Sequence, residues 1–213
     1  MFKTKFLLIA FFLLVSATWL SSSGIWKRYK AYIAPKEYHA YTKPNGLSAK
    51  LRDRAAMARK YAAAKRFNEK LCFLIDMSLP SGENRFFVYD LEKDTVRAAG
   101  LVAHGNCFQR WLEGRRYSNQ IESGCTSLGR YKVGSSYTGK FGLSYKIYGL
   151  DSSNSNAYTR TVVLHSHECV PESEVKDEIC QSNGCPTVSP WFLNVLTPII
   201  KHSGKPVLLW IYE

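Results

Sequence analysis

No C-x-x-C pair occurs anywhere in the 213 residues, no cysteine precedes Cys72, and no internal repeat or low-complexity tract interrupts the chain. The first absence removes the usual spacing of paired zinc thiolates. The second leaves no thiol near the N-terminus to carry a lipid. Charge is missing from residues 6–20 (FLLIAFFLLVSATWL), which follow Lys3 and Lys5. A basic start and an apolar run have the layout of an export signal, and 15 residues fall short of the roughly 20 that span a bilayer comfortably. Val15-Ser16-Ala17 and Ser21-Ser22-Ser23 offer small residues for cleavage. Residues 1–23 are therefore expected to be a signal peptide, with an uncleaved N-terminal membrane anchor as the alternative.

What is present is enough for a core: 46% of residues are apolar, with 13 Tyr and 11 Phe, which excludes a disordered chain. The length suits one domain with a short N-terminal appendage. The net charge of +12 is localised. Residues 27–70 hold 13 Lys or Arg against Glu37, Asp53 and Glu69, whereas residues 71–213 balance 14 basic with 14 acidic side chains. A basic arm behind an export signal meets anionic membrane headgroups or anionic wall polymer, not nucleic acid. A solvated helix face accounts for the same charges. Six cysteines in an exported chain imply disulfides. If Cys185 is a working thiolate, at most two bridges form and one thiol is left over.

Residues 24–44 read as a linker rich in Tyr and charge. Asn45 or Ser48 then caps a basic helix over 45–70, in which Leu51, Ala55, Ala58 and Ala62 recur on one side. Short β-rich runs follow at 71–77, 85–91, 95–104, 129–133, 143–148, 160–166 and 206–212, separated by turn residues. Ser189 and Pro190 open a late helix. The fold class is mainly β with a few helices (α+β), and 71–213 forms the main domain.

Two segments carry chemistry. Arg160-Thr161-Val162-Val163-Leu164-His165-Ser166 is a β-branched strand ending in histidine, and Ser182-Asn183-Gly184-Cys185-Pro186 begins sixteen residues after Ser166. A reactive cysteine needs a neighbour that lowers its pKa, and imidazole does so. Gly184 leaves room for backbone N–H groups to reach an oxyanion. A lone His and Cys at this spacing are more often structural. The order of motifs adds to the pair: Ile75-Asp76-Met77-Ser78, 85–91, His104-Gly105, Ser127-x-Gly129, Tyr137-x-Gly139-x-x-Gly142, Gly149-Leu150-Asp151 with Asn154, Asn156, Ala157 and Arg160, then His165 and Ser182-x-Gly184-Cys185-Pro186. Over more than half its length the chain resembles the murein L,D-transpeptidase catalytic domain family, of the YkuD-type fold.

That resemblance implies a β-sandwich catalytic domain, no cofactor, and peptidoglycan stem peptides as the partner. Cys185 would be the nucleophile and His165 the base. Ser182 and the Gly184–Cys185 backbone would orient the histidine and hold the oxyanion. Arg160, Asn156, Tyr145 and His104 are the candidates for contacting substrate, Arg160 and Asn156 through stem carboxylates. An L,D-carboxypeptidase using water in place of the acceptor amine would need the same residues. Two other readings compete: a zinc cluster of His165, His167, Cys169, Cys180 and Cys185, and a wall-binding protein with all six cysteines bridged. The chain departs from the family pattern in the acidic segment between His165 and Ser182. Cys169 and Cys180 flank that segment and are expected to close it, with Cys107–Cys125 as the second pair and Cys72 buried and unpaired.

Overall fold

The structure, a computed structural model, describes residues 48–213. The expected signal or anchor (1–23), the linker (24–44), the Asn45 cap and the first part of the basic arm lie outside the described residues. Helix α1 (Ala49–Lys65) begins at Ser48, whose hydroxyl accepts from the Leu51 N–H. Its buried residues are Leu51, Ala55, Ala58 and Ala62, the set that helical spacing selects. The helix ends five residues earlier than expected. Arg66 turns left-handed (φ 60°) and returns its N–H to Ala62, and the Asn68 side chain accepts from Lys70 and Leu71, steering the chain into a strand.

Among the described residues, nine strands form one sheet: β1 (Leu71–Asp76), β2 (Phe86–Asp90), β3 (Thr95–Gly100), β4 (Val102–Ala103), β5 (Gly129–Gly139), β6 (Gly142–Gly149), β7 (Val163–Ser166), β8 (Thr187–Val188) and β9 (Leu208–Tyr212). Their order is β3-β2-β1-β9-β5-β6-β7-β8-β4. The two edge strands, β3 and β4, are separated in sequence by Leu101 alone. One residue cannot bridge a flat nine-stranded sheet, since neighbouring strands lie about 4.8 Å apart. The sheet is therefore curled into a near-closed barrel or sandwich, and the expected single run 95–104 divides where the chain crosses from one edge to the other.

The alternation of side chains sorts the apolar residues between two cores. Phe73 and Ile75 of β1, Phe86 and Val88 of β2, and Leu209 and Ile211 of β9 face the inner core. Helix α2 (Pro190–Lys201), capped by Ser189, adds Phe192, Leu193 and Leu196 to it. Cys72, Leu74, Phe87, Tyr89, Leu208 and Trp210 face outward, where the buried side of α1 covers them. Part of the basic surface of α1 is also used there: the Arg54 guanidinium lies 4.7 Å from the Trp210 ring and 4.3 Å from the Tyr212 ring. Among the described residues, no helix is long and apolar enough to cross a membrane.

Candidate active site

Parallel pairing of β7 with β8 sets His165 opposite Thr187, and Cys185 lies two residues before Thr187. The turn carrying Cys185 is tied by Ser182, whose Oγ donates to the Cys185 carbonyl (2.7 Å) and accepts from the Gly184 N–H (3.2 Å). Gly184 has φ +109°, and a Cβ there would sit 2.8 Å from the Cys125 carbonyl oxygen. Glycine is thus required both by conformation and by space. The turn is anchored from behind as well: Ser182 N–H donates to His104 O, and Asn106 N–H donates to Ser182 O, each at 2.8 Å.

His165 is buried, with Nδ1 at 3.0 Å from the Ser166 carbonyl. A carbonyl only accepts, so Nδ1 carries the proton and Nε2 has its lone pair free. Nε2 lies 3.1 Å from the Thr187 hydroxyl, which also reaches the Cys185 carbonyl at 3.3 Å. Phe141, from the tip of the β5–β6 hairpin, stacks on the imidazole with centroids 4.2 Å apart. Burial lowers the His165 pKa below its ordinary value, the Ser166 carbonyl opposes this, and the neighbouring His167 adds to it. Burial raises the Cys185 pKa, against hydrogen bonding from the Val163 backbone and the positive charge of Arg160. Both shifts favour the uncharged forms, a thiol and a neutral imidazole.

A cavity of about 420 Å³ brings together Cys185, His165, Ser182 and Arg160, with Tyr137 and Phe141 on its hairpin side. The Arg160 guanidinium is already engaged. It donates to the Ser118 carbonyl at 2.7 Å, to Ser127 Oγ and to the Cys125 carbonyl. It therefore braces the 118–127 loop against the Cys185 turn. Arg160 does not begin the strand, as expected for 160–166, because Thr161 takes a left-handed turn (φ 54°) and β7 starts at Val163.

The other sequence candidates lie away from the cavity lining. Asn156 holds the neighbouring loop, its Nδ2 donating to Asn119 O at 2.9 Å. Tyr145 is buried in the inner core, and its hydroxyl has no hydrogen-bond partner among the described residues. His104 is buried beside Arg85, whose Nη2 donates to Nδ1 at 3.0 Å. Ser182 ties its own turn, while Ser166 and Thr187 hold the histidine.

Cys107–Cys125 and Cys169–Cys180 are disulfides, leaving Cys72 buried and Cys185 partly accessible as free thiols. The fully bridged alternative is thereby overturned. The second bridge also consumes two of the five groups that a zinc cluster needed, and no group of metal-binding side chains is assembled among the described residues.

The L,D-transpeptidase catalytic domain family matches residues 42–212 of the sequence. The chain belongs to that family. No curated protein matches it. Solved structures with detectable similarity include an L,D-transpeptidase in complex with imipenem (13% identity, 67% of this chain and 59% of the other, TM-score 0.40). Others are an L,D-transpeptidase from Mycobacterium smegmatis (10%, 68% and 59%, 0.39) and a helical cell shape determining protein from Campylobacter jejuni (13%, 76% and 55%, 0.41). The chain thus spans less than two thirds of the length of each.

Sequence reasoning missed Thr187 and Phe141. Phe141 occupies one of the unnamed places in Gly139-x-x-Gly142, so a signal existed. Thr187 becomes visible only through the pairing of two strands that the acidic segment separates.

Proposed function

We propose that the chain is an exported peptidoglycan L,D-transpeptidase that forms a thioester at Cys185, working in the periplasm or cell envelope. The observation that carries this reading is the single cavity holding a partly accessible thiol together with a neutral imidazole whose Nδ1–H is fixed by Ser166 O. His165 Nε2 takes the thiol proton as Sγ attacks the carbonyl of the third stem residue. The imidazolium returns that proton to the departing amine of the terminal D-amino acid. The acyl group then stays on sulfur until an amine from a neighbouring stem replaces it. Arg160 supplies the positive charge that favours the thiolate, and Gly184 lets the backbone beside Cys185 approach the oxyanion. Tyr137 and Phe141 cover the acyl chain. The Gly105–Ser182 bridge makes His104 a support for the turn, not a substrate contact. Asn156 and Tyr145 support the site from outside the cavity. Two disulfides accord with an oxidising compartment, and residues 27–70 would hold the enzyme near anionic membrane or wall.

Incubating the full chain with a tetrapeptide-stem disaccharide and reading the products by mass tests the reading. Cross-linked dimer is expected, lost in Cys185→Ala and reduced about 10³-fold in His165→Ala. Trimmed tripeptide alone would make the enzyme an L,D-carboxypeptidase, and unchanged substrate would overturn the proposal.

A further inference from the structure

Strands β5, β6 and β7 send Tyr131, Val133, Tyr145, Ile147 and Leu164 into the inner core. Alternation therefore places Lys132, Lys146, Tyr148, Val163 and His165 on the opposite face. Strand register brings these residues together: Ser144 pairs with His165, Lys146 with Val163, and Lys132 with Tyr148. Val163 and His165 line the cavity of Cys185, so one face of the sheet continues from the site across β6 to β5. Tyr148 lies against Gly134, where a Cβ would meet its Cε2 at 2.5 Å. Tyr158, in the turn before β7, stacks on Tyr148 with ring centroids 5.5 Å apart and planes 12° apart. The Lys132 ammonium lies 4.9 Å from the Tyr148 ring centroid, and the Lys146 ammonium 5.9 Å from that of Tyr158. Tyr158 is 59% exposed, and neither tyrosine belongs to an apolar cluster among the described residues. Neither lysine forms an ion pair with another described residue.

An open aromatic face bordered by two unpaired ammonium groups complements a pyranose ring that carries carboxylates. The C–H bonds of the sugar meet the negative face of the aromatic ring, and the carboxylates meet the lysines. We propose that Tyr148, Tyr158, Lys132 and Lys146 form a binding platform for an anionic glycan strand, separate from the cavity that holds the reacting peptide. The Thr161 N–H donates to the Tyr158 carbonyl at 3.0 Å, and Thr161 lines that cavity. A strand stacked on Tyr158 therefore lies beside the cavity wall, with a peptide hanging from it held near Cys185. Such a platform acts through local concentration and touches no reacting atom. The choice of wall glycan as the anionic strand rests on the peptidoglycan reading above, but the binding needs no turnover.

The test measures, by calorimetry, binding of the full chain to stem-free peptidoglycan glycan strands, whose lactyl carboxylates are free. Chitohexaose supplies the sugar rings without the charge, and poly-L-glutamate the charge without the rings. Wild type should bind the glycan strands most tightly, and less tightly as salt is added. Tyr158→Ala should weaken that binding about fivefold, the scale of one lost aromatic contact, and Tyr158→Phe should retain it. Lys132→Met combined with Lys146→Met should weaken it about fivefold and leave chitohexaose binding unchanged. Turnover of a free tetrapeptide that carries no sugar should stay at the wild-type rate in every variant. Absence of that turnover in wild type would instead count against the thioester reading. Equal affinity for poly-L-glutamate, no binding of glycan strands, or either the alanine variant or the lysine pair within twofold of wild type overturns the platform.

Discussion

Thr187 has two partners for one hydroxyl hydrogen. Its Oγ1 lies 3.1 Å from His165 Nε2 and 3.3 Å from the Cys185 carbonyl. With the hydrogen turned to the carbonyl, the oxygen lone pair faces Nε2 and, on the proposed mechanism, would accept from the imidazolium formed during attack. A hydrogen bond to a charged partner contributes about 1.5–3 kcal/mol, so Thr187→Val should lower kcat roughly 10- to 100-fold with little change in KM. Thr187→Ser should restore most of it. An unchanged kcat in the valine variant would make the contact structural only. Cys185 and His165 are legible in the sequence because each sits in a short motif. Thr187 is not, since its link to His165 depends on which strands become neighbours, and local patterning carries no such information. Arg160 is a half-case: its place near Cys185 was expected, but its donors are spent on the Ser118 and Cys125 carbonyls.

Among the elements, the acidic segment is tied to the body of the domain by packing, hydrogen bonds and a disulfide. Val170 and Ile179 pack on Leu101 and Ala103, the Ile179 N–H donates to Ser81 Oγ, and Glu174 accepts from the Asn84 N–H. Cys169–Cys180 closes the strap across 11 positions, and both sulfurs border the cavity. The positive charge of Arg160 acts on Cys185 to favour its thiolate, against the effect of burial. A loop of this length is stabilised by about 2–3 kcal/mol through loss of unfolded-state entropy. Replacing both cysteines by serine should therefore lower Tm by roughly 5–10 °C in calorimetry. A Tm within 1 °C of wild type would mean that the packing of Val170 and Ile179 alone holds the strap. The helices and most strands were legible because their signals are local: Ser48 and Ser189 cap, and Leu51, Ala55, Ala58 and Ala62 form one buried stripe. The parallel pairing of β1 with β9, which sets Cys72 beside Leu208, was not.

At the scale of the molecule, a near-closed sheet leaves Arg85 and His104 sealed together behind the candidate site. Arg85 donates to the Val102 and Leu79 carbonyls and to His104 Nδ1. Burial lowers the His104 pKa to about 4, with the Arg85 and Arg115 charges acting in the same direction. The unfolded chain binds a proton at this histidine below about 6.5, whereas the folded chain stays neutral until about 4. Stability is therefore full above about 6.5 and is lost progressively as pH falls toward 4, with His165 adding the same sign. His104→Gln keeps an acceptor for Arg85 and removes the titration. Its Tm should fall less steeply with acidification over that window, and an identical slope would assign the acid sensitivity elsewhere.

The thioester is the step on which the functional reading stands, and it leaves a mass. The full chain, exposed briefly to a tetrapeptide-stem disaccharide, quenched in acid and digested without reduction, should yield a Cys185 peptide heavier by the tripeptide-stem acyl group. Cys107–Cys125 and Cys169–Cys180 should appear as linked fragments in the same digest. An acyl group on another residue, or a Cys185 peptide that stays unmodified while substrate is consumed, would contradict it.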